Sequence, residues 1–296
     1  MNASRRGCLV GLVLLAAAGP VCAQGPTISD SSVGYIDGAI PGNTLRLRFD
    51  DAVNIHAYNR GEFLSSHADN HSLPLEESRI DYQELSAYAE FALSDRFSLF
   101  IEQPLRYLEA EINRDHFGLV DINAGFKWAF LKTDDTVATF QFRTYAPTGD
   151  ASRGLGTHHT TLEPAILIYH SLGSGFSLEG ETRLSIPLGG QAGFESEVVR
   201  YGLGMQYQLF QGERLSICPV VEFVGWTFLN GQKDLIVPGQ AEETNSSAEG
   251  DTIVNAKVGV RFKLSSNNDI YAGYGRALTG STLYKDIYRV EWRLHF

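Results

Sequence analysis

The sequence predicts an all-β protein, a transmembrane, antiparallel, up-and-down β-barrel of about twelve strands that follows a cleaved signal peptide. Three observations predict it. Segments of about ten residues, apolar and polar by turns with a period of two, recur along the chain. Short polar turns alternate with long loops between them. Both ends of the chain carry signs of export and barrel assembly.

At the start, Arg5 and Arg6 supply a basic head and Cys8 to Gly19 an apolar stretch. Val21-Cys22-Ala23 then fits signal-peptidase cleavage, so residues 1–23 read as a signal peptide and the mature chain as beginning at Gln24. The apolar stretch is too short to span a bilayer. Gly19-Pro20-Val21 is a poor lipidation box for Cys22. Residues 24–43, rich in Gly, Ser and Pro, are too few for a domain and form either a tail or a small plug; 44–296 form the barrel. At the end, Tyr288, Val290, Trp292, Leu294 and Phe296 share one face, and Arg289, Glu291, Arg293 and His295 the other. That aromatic-terminated strand resembles the assembly signal of bacterial outer-membrane barrels. Outer-membrane lipid and the barrel-assembly machinery are therefore expected partners.

Strands are predicted near 44–54, 79–93, 97–107, 118–130, 136–146, 158–170, 176–188, 196–209, 215–228, 251–264, 270–278 and 284–296. The fourth carries Val120, Ile122, Ala124, Phe126, Trp128 and Phe130 on one face and Asp121, Asn123, Gly125 and Lys127 on the other. Alternation alone also suits a soluble sandwich, which would bury the apolar face; a membrane barrel turns that face to lipid. Loop lengths favour the barrel. Turns such as Ser94-Asp95-Arg96 are short, whereas Ile55 to Ser78 and Leu229 to Gly250 are long. Aromatics near the short turns, among them Phe97, Trp128, Phe130, Phe210, Phe262, Trp292 and Phe296, fit an interfacial girdle. An even strand count leaves both termini in the periplasm.

The predicted lumen is charged. Arg46 and Arg48 on the first strand, Lys257, Arg261 and Lys263 on the tenth, and Arg289 and Arg293 on the twelfth would make a largely basic wall, since the twelfth and first strands meet to close the barrel. Glu84, Glu90, Glu102, Glu163, Glu179 and Glu181 lie elsewhere, with Asp121 and Glu291 also on the inner face. Opposed walls would set a field across the path and favour a small polar solute. The competing reading is that these charges pair in a modest interior, as Lys127, Arg106, Arg143 and Arg183 among the acids suggest.

Other classes of chemistry find less support. With 24 Lys+Arg against 35 Asp+Glu and a net charge of −11, the chain does not suit nucleic acid. Cys218 is the single cysteine outside the signal, so no internal disulfide forms. No cofactor is expected. His67-x-Asp69-x-His71 offers metal-like spacing without a fixed scaffold. His158 or His159 near Thr144 or Ser185 is the one arrangement open to hydrolysis, and no enzyme motif accompanies it. Pro104, Pro164, Pro187 and Pro219 fall inside strands, where each marks a bulge or bend; the sharper alternative is a seam for sideways escape of apolar solutes.

Three segments carry a family resemblance: Ser32 to Asn43 with Leu45-Arg46-Leu47-Arg48-Phe49-Asp50, Gly118 to Lys127, and Phe142 to Asp150. The pattern Gly118-x-x-Asp121-x-x-x-Gly125-x-Lys127 and the loop Pro147-Thr148-Gly149-Asp150 contribute most. The chain resembles the phenol-degradation meta-pathway (MetA-pathway) outer-membrane family, distantly similar to long-chain fatty-acid transporters. The resemblance implies a barrel that admits aromatic or other apolar small molecules. Against that family's larger relatives the chain is shorter, lacks a long N-terminal hatch and has a more charged lumen. The resulting expectation is a porin-like transporter for passive passage of a small-molecule solute. An outer-membrane lipid or ester hydrolase and a structural or adhesion barrel are the alternatives.

Overall fold

The computed structural model describes residues 31–55, 79–189, 196–212, 215–235, 244–279 and 284–296. Residues 1–23, expected to be a signal peptide, and the His67-x-Asp69-x-His71 stretch lie outside them.

The strands are β1 (Thr44–Ile55), β2 (Ile80–Ser94), β3 (Phe97–Ala110), β4 (His116–Leu119), β5 (Ile122–Lys132), β6 (Thr136–Ala146), β7 (Thr160–Gly173) and β8 (Phe176–Leu188). They continue as β9 (Val198–Tyr207), β10 (Phe210–Gln211), β11 (Ser216–Phe228), β12 (Gln232–Leu235), β13 (Thr244–Ser247), β14 (Thr252–Lys263), β15 (Asn268–Ala277) and β16 (Asp286–His295). The pairs β4/β5 and β9/β10 are each one interrupted stave, and β12 and β13 pair as a hairpin within a long loop. Each stave pairs antiparallel with its sequence neighbour. β16 pairs with β1, from Thr44 opposite His295 to Val53 opposite Asp286, which closes a twelve-stave barrel. Closure removes the open edges that lipid could not satisfy.

The interruptions have a local cause. Proline withholds its ladder N–H. Leu105 faces Leu119 while Glu102 faces Asn123, a one-residue slip at Pro104 that splits β4 from β5. A like slip at Pro219 splits β9 from β10, because Ile217 faces Phe210 and Val220 faces Gln206. Pro164 lies at a gap in the β7–β8 ladder without a slip, and Pro187 lies beyond the last β8–β9 pair. Two of the four prolines thus mark bulges, and the other two mark places where pairing lapses.

The two faces are inverted relative to a soluble protein. On β11, Glu222 is fully buried inside while its neighbour Phe223 is 47% exposed on the outside. Leu45, Leu47 and Phe49 of β1, and Leu203 and Met205 of β9, likewise project outward. Trp128, Phe130, Phe210 and Phe296 are exposed near the short-turn end, and the Phe91 and Phe296 rings meet edge-on at 5.8 Å. An apolar outer band with charged residues inside places the chain in lipid.

Candidate functional site

The N-terminal segment organises the lumen. From Asn43 at the short-turn end, where its carbonyl accepts from Phe296 N at 3.2 Å, the chain enters the barrel. Gly42 N meets Glu90 at 3.2 Å, Ala39 O accepts from Thr139 Oγ1, and Asp37 reaches strands β6 and β8. The chain then turns back across β11 and β14 and descends to Ser31, whose carbonyl accepts from Arg293 at 2.7 Å. Arg293 sits two pairs from the short-turn end of β16, so residues 31–43 form a loop inserted from that end.

What holds this loop is mostly directed at its main chain. Glu222 accepts three consecutive N–H groups, from Gly34 at 3.1 Å, Tyr35 at 2.9 Å and Ile36 at 3.0 Å. Glu181 accepts Asp37 N at 3.0 Å. Arg261 donates to the carbonyls of Ser32 (2.9 Å) and Val33 (2.7 Å), Arg289 to that of Gly34, and Arg200 to that of Tyr35 at 2.6 Å. An extended backbone with no sheet partner would otherwise leave buried polar groups unpaired. One side chain adds a strong ionic contact. Asp37 lies 2.8 Å from Arg143 and 2.9 Å from Arg183. Burial opposes its ionisation, but the two guanidinium groups outweigh burial and hold its carboxyl well below the usual range. Close packing completes the seat. A Cβ on Gly202 would lie 2.3 Å from Ile36 Cγ2, and one on Gly204 2.6 Å from Val33 Cγ1, so these positions of β9 admit the segment only as glycine.

The inward charges are interleaved in ion pairs, and do not form a basic wall facing an acidic one. Arg46 lies 3.2 Å from Glu102 and 3.8 Å from Glu291; Arg48 contacts the same Glu102 at 3.2 Å. Arg106 pairs with Glu84 at 2.6 Å and Lys127 with Glu90 at 2.9 Å. Arg183 bridges Glu163 at 2.9 Å and Glu181, and Arg143 lies 3.8 Å from Glu163. Arg261 joins Asp269 at 2.5 Å and Glu291 at 2.8 Å, Arg289 joins Asp50 at 2.6 Å, and Arg293 joins Asp269 at 3.0 Å. Glu179 is buried on the inner face of β8. The alternation of neighbouring strands fixes a residue's face but not its height, and partners two or more staves apart, such as Arg46 and Glu102, meet only in three dimensions.

Asp121 does something different. It accepts from Gly149 N at 2.8 Å, from Thr157 N at 2.8 Å and from Thr157 Oγ1 at 2.9 Å. The two motifs that carry the resemblance are therefore one unit, in which the aspartate of one pins the loop of the other. That loop, with a 3-10 turn at Ala151–Arg153, brings Gly156 and Thr157 to the edge of a cavity.

The cavity, about 230 Å³, occupies the long-loop half of the lumen. Tyr35 and Asp37 of the inserted loop contribute to it, together with Arg48, Lys257, Arg289 and Trp226. Ser185 lines it as well, but His159 Nδ1 has no hydrogen-bond partner among the described residues. No group of three or more metal-ligating side chains occurs among the described residues.

Sequence reasoning missed Tyr35, Asp37, Asp50, Arg200, Glu222 and Asp269. Glu222 had a readable signal, as the one acid in the apolar run Ile217 to Trp226. Residues 31–42 carry no period-two pattern, so nothing in them indicates where they lie.

A closed antiparallel barrel that is apolar outside and charged inside is an outer-membrane β-barrel, and its place is the bacterial outer membrane. More narrowly, the chain belongs to the family described as "Putative MetA-pathway of phenol degradation", whose model matches residues 64–284. Its fold is similar to that of the COG4313 outer membrane channel from Pseudomonas putida F1, at 13% identity and a TM-score of 0.53 over 86% of this chain and 96% of that one. The NanC porin is similar at 9% identity and a TM-score of 0.51, over 85% and 100% of the two chains. No curated protein sequence matches it.

Proposed function

We propose that the barrel provides passive passage for small molecules across the outer membrane, and that residues 31–42 are the element that closes it. The carrying observation is how the segment is held. Hydrogen bonds and ion pairs to lumen side chains, with the packing of Val33, Tyr35 and Ile36, hold it without strand pairing to the wall, so it can leave without breaking the barrel. Family membership supports an aromatic or apolar solute, and the charged cavity above the segment supports a polar one. A solute with both characters reconciles them. On this reading the chain is a conduit rather than an enzyme: its inward charges orient and admit solute while remaining paired with one another.

Conductance of the refolded full chain in a planar bilayer, beside a variant lacking residues 31–42, tests the proposal. The full chain is expected to be closed or to flicker, and the deletion to conduct steadily. A deletion variant that inserts but never conducts would overturn it.

A further inference from the structure

Two buried polar groups at the floor of the cavity lack conventional partners. The Tyr35 hydroxyl has no hydrogen-bond partner among the described residues, although the side chain is 95% enclosed by its 5% exposure. Lys257, 3% exposed, stands opposite Glu222 in the β11–β14 ladder, yet its ammonium makes no hydrogen bond or contact ion pair with a described residue. Its ammonium lies 3.9 Å from the Tyr35 ring centroid and 5.6 Å from the rings of Trp226 and Tyr284. Arg289 stacks on the same tyrosine, 4.1 Å from its centroid, and Tyr271 meets it edge-on at 6.2 Å. Arg289 already has its anion, because both Nε and Nη2 bind the Asp50 carboxylate at 2.6 Å. A buried ammonium with ring faces and nearby carboxylates, but none in contact, recovers only part of its lost hydration. Lys257 therefore wants an anion, and the seat beside it is already shaped for a planar ring.

We infer that this cage is the solute site of the barrel, that it takes a small planar ring bearing one carboxylate, and that Tyr35 fills it as an internal surrogate until the solute displaces it. The inference rests on the passage reading and names its solute class and trigger. The ring would replace Tyr35 against Lys257 and Arg289, and the carboxylate would give Lys257 a contact partner, which Glu222 opposite it does not supply. Displacing Tyr35 also withdraws the N–H groups of Gly34, Tyr35 and Ile36 from Glu222, so occupancy of the cage and release of the segment are one event. An aliphatic acid supplies the charge without the stacking ring, and a neutral aromatic supplies the ring without the charge.

The test is calorimetric titration of the refolded, detergent-solubilised full chain with benzoate, cyclohexanecarboxylate and benzyl alcohol. Titrations of Tyr35→Ala and Lys257→Gln run in parallel, and heat-modifiable gel mobility confirms that each barrel is folded. Removing an internal competitor raises the fraction of competent sites, so Tyr35→Ala is expected to bind benzoate about tenfold more tightly than the parent. The two other probes should bind more weakly than benzoate, and Lys257→Gln should lose benzoate binding. If the parent binds too weakly to measure, binding in Tyr35→Ala alone supports the proposal. Equal or weaker benzoate binding in Tyr35→Ala overturns it, as does a cyclohexanecarboxylate affinity matching that of benzoate. A variant lacking residues 31–42 separates the two readings. Steady conductance with no benzoate binding sinks the cage and leaves the passage, whereas a non-conducting deletion sinks the passage whatever benzoate does.

Discussion

The two halves of the lumen solve the same electrostatic problem in different ways. In the short-turn half, Glu222, Glu181, Arg261 and Arg293 are satisfied partly by the main chain of residues 31–37. In the long-loop half, pairs such as Glu84 with Arg106 are complete within the wall, and Asp121 is spent on a loop. Removing the inserted segment would therefore strip main-chain partners from the first half, and from Arg200 and Arg289 at the boundary, while leaving pairs such as Glu84 with Arg106 intact. Charge count alone does not make a path; what matters is whether the charges depend on something that can leave.

The largest way to break this comparison is Glu222→Ala. Three hydrogen bonds to a charged acceptor are lost together, and the closed state should weaken by about 3 kcal/mol, allowing for incomplete additivity. That corresponds to a shift of roughly a hundredfold in the closed-to-open ratio. Single-channel open probability reads it directly. Glu84→Gln is the matched change in the other half, and its open probability should stay at the parental value. If the two variants open alike, the halves do not differ in the way described.

Gly202→Ala sharpens the same point by size instead of charge. The new methyl would meet Ile36 Cγ2 at 2.3 Å, whereas one at Gly180 on the adjacent stave would meet only Gly202 O at 3.7 Å. Forcing a methyl into a filled site costs about 1–3 kcal/mol. Here the cost falls on the inserted segment, so open probability should rise while barrel melting stays close to the parent. Gly180→Ala should change neither.

Much of this architecture is legible in the sequence. Period-two alternation places all twelve staves, because lipid outside and water inside impose opposite demands on successive residues. β5 shows it plainly: Lys127 is buried and Trp128 and Phe130 are exposed, as the alternation requires. The split of β4 from β5 was legible only in outline. Pro104 announces an irregularity, but its effect appears on the neighbouring stave at Val120 and Asp121. The grip on residues 31–37 was not legible at all. It depends on which side chains of β8, β11, β14 and β16 share a height in the closed barrel, and stave shear sets that height.

Acid offers a smaller test. Because the carboxyl of Asp37 is held below its ordinary value of 3.8, its contribution to closure is complete above that value and is lost only as the pH falls through the lower one. Closure should therefore persist from pH 7 to pH 5 in bilayer recordings. Opening within that interval would mean that a group other than Asp37 limits closure.

The smallest expected effect belongs to the long-loop half. Asp121→Asn keeps one oxygen for Gly149 N but replaces the other with a donor that cannot accept from Thr157, and it removes the charge from every remaining bond. Loosening the 147–157 loop should cost about 1–2 kcal/mol locally. Arg153 is exposed in that loop, so tryptic cleavage after it on intact membranes should speed up several-fold, while the closed level of the bilayer current stays where it was. That separation is the point of the experiment. The loop pinned by Asp121 frames the cavity, and on the proposed passage reading the segment gripped by Glu222 closes the barrel. A variant that opens the barrel while loosening only the loop would show that the two halves act as one gate.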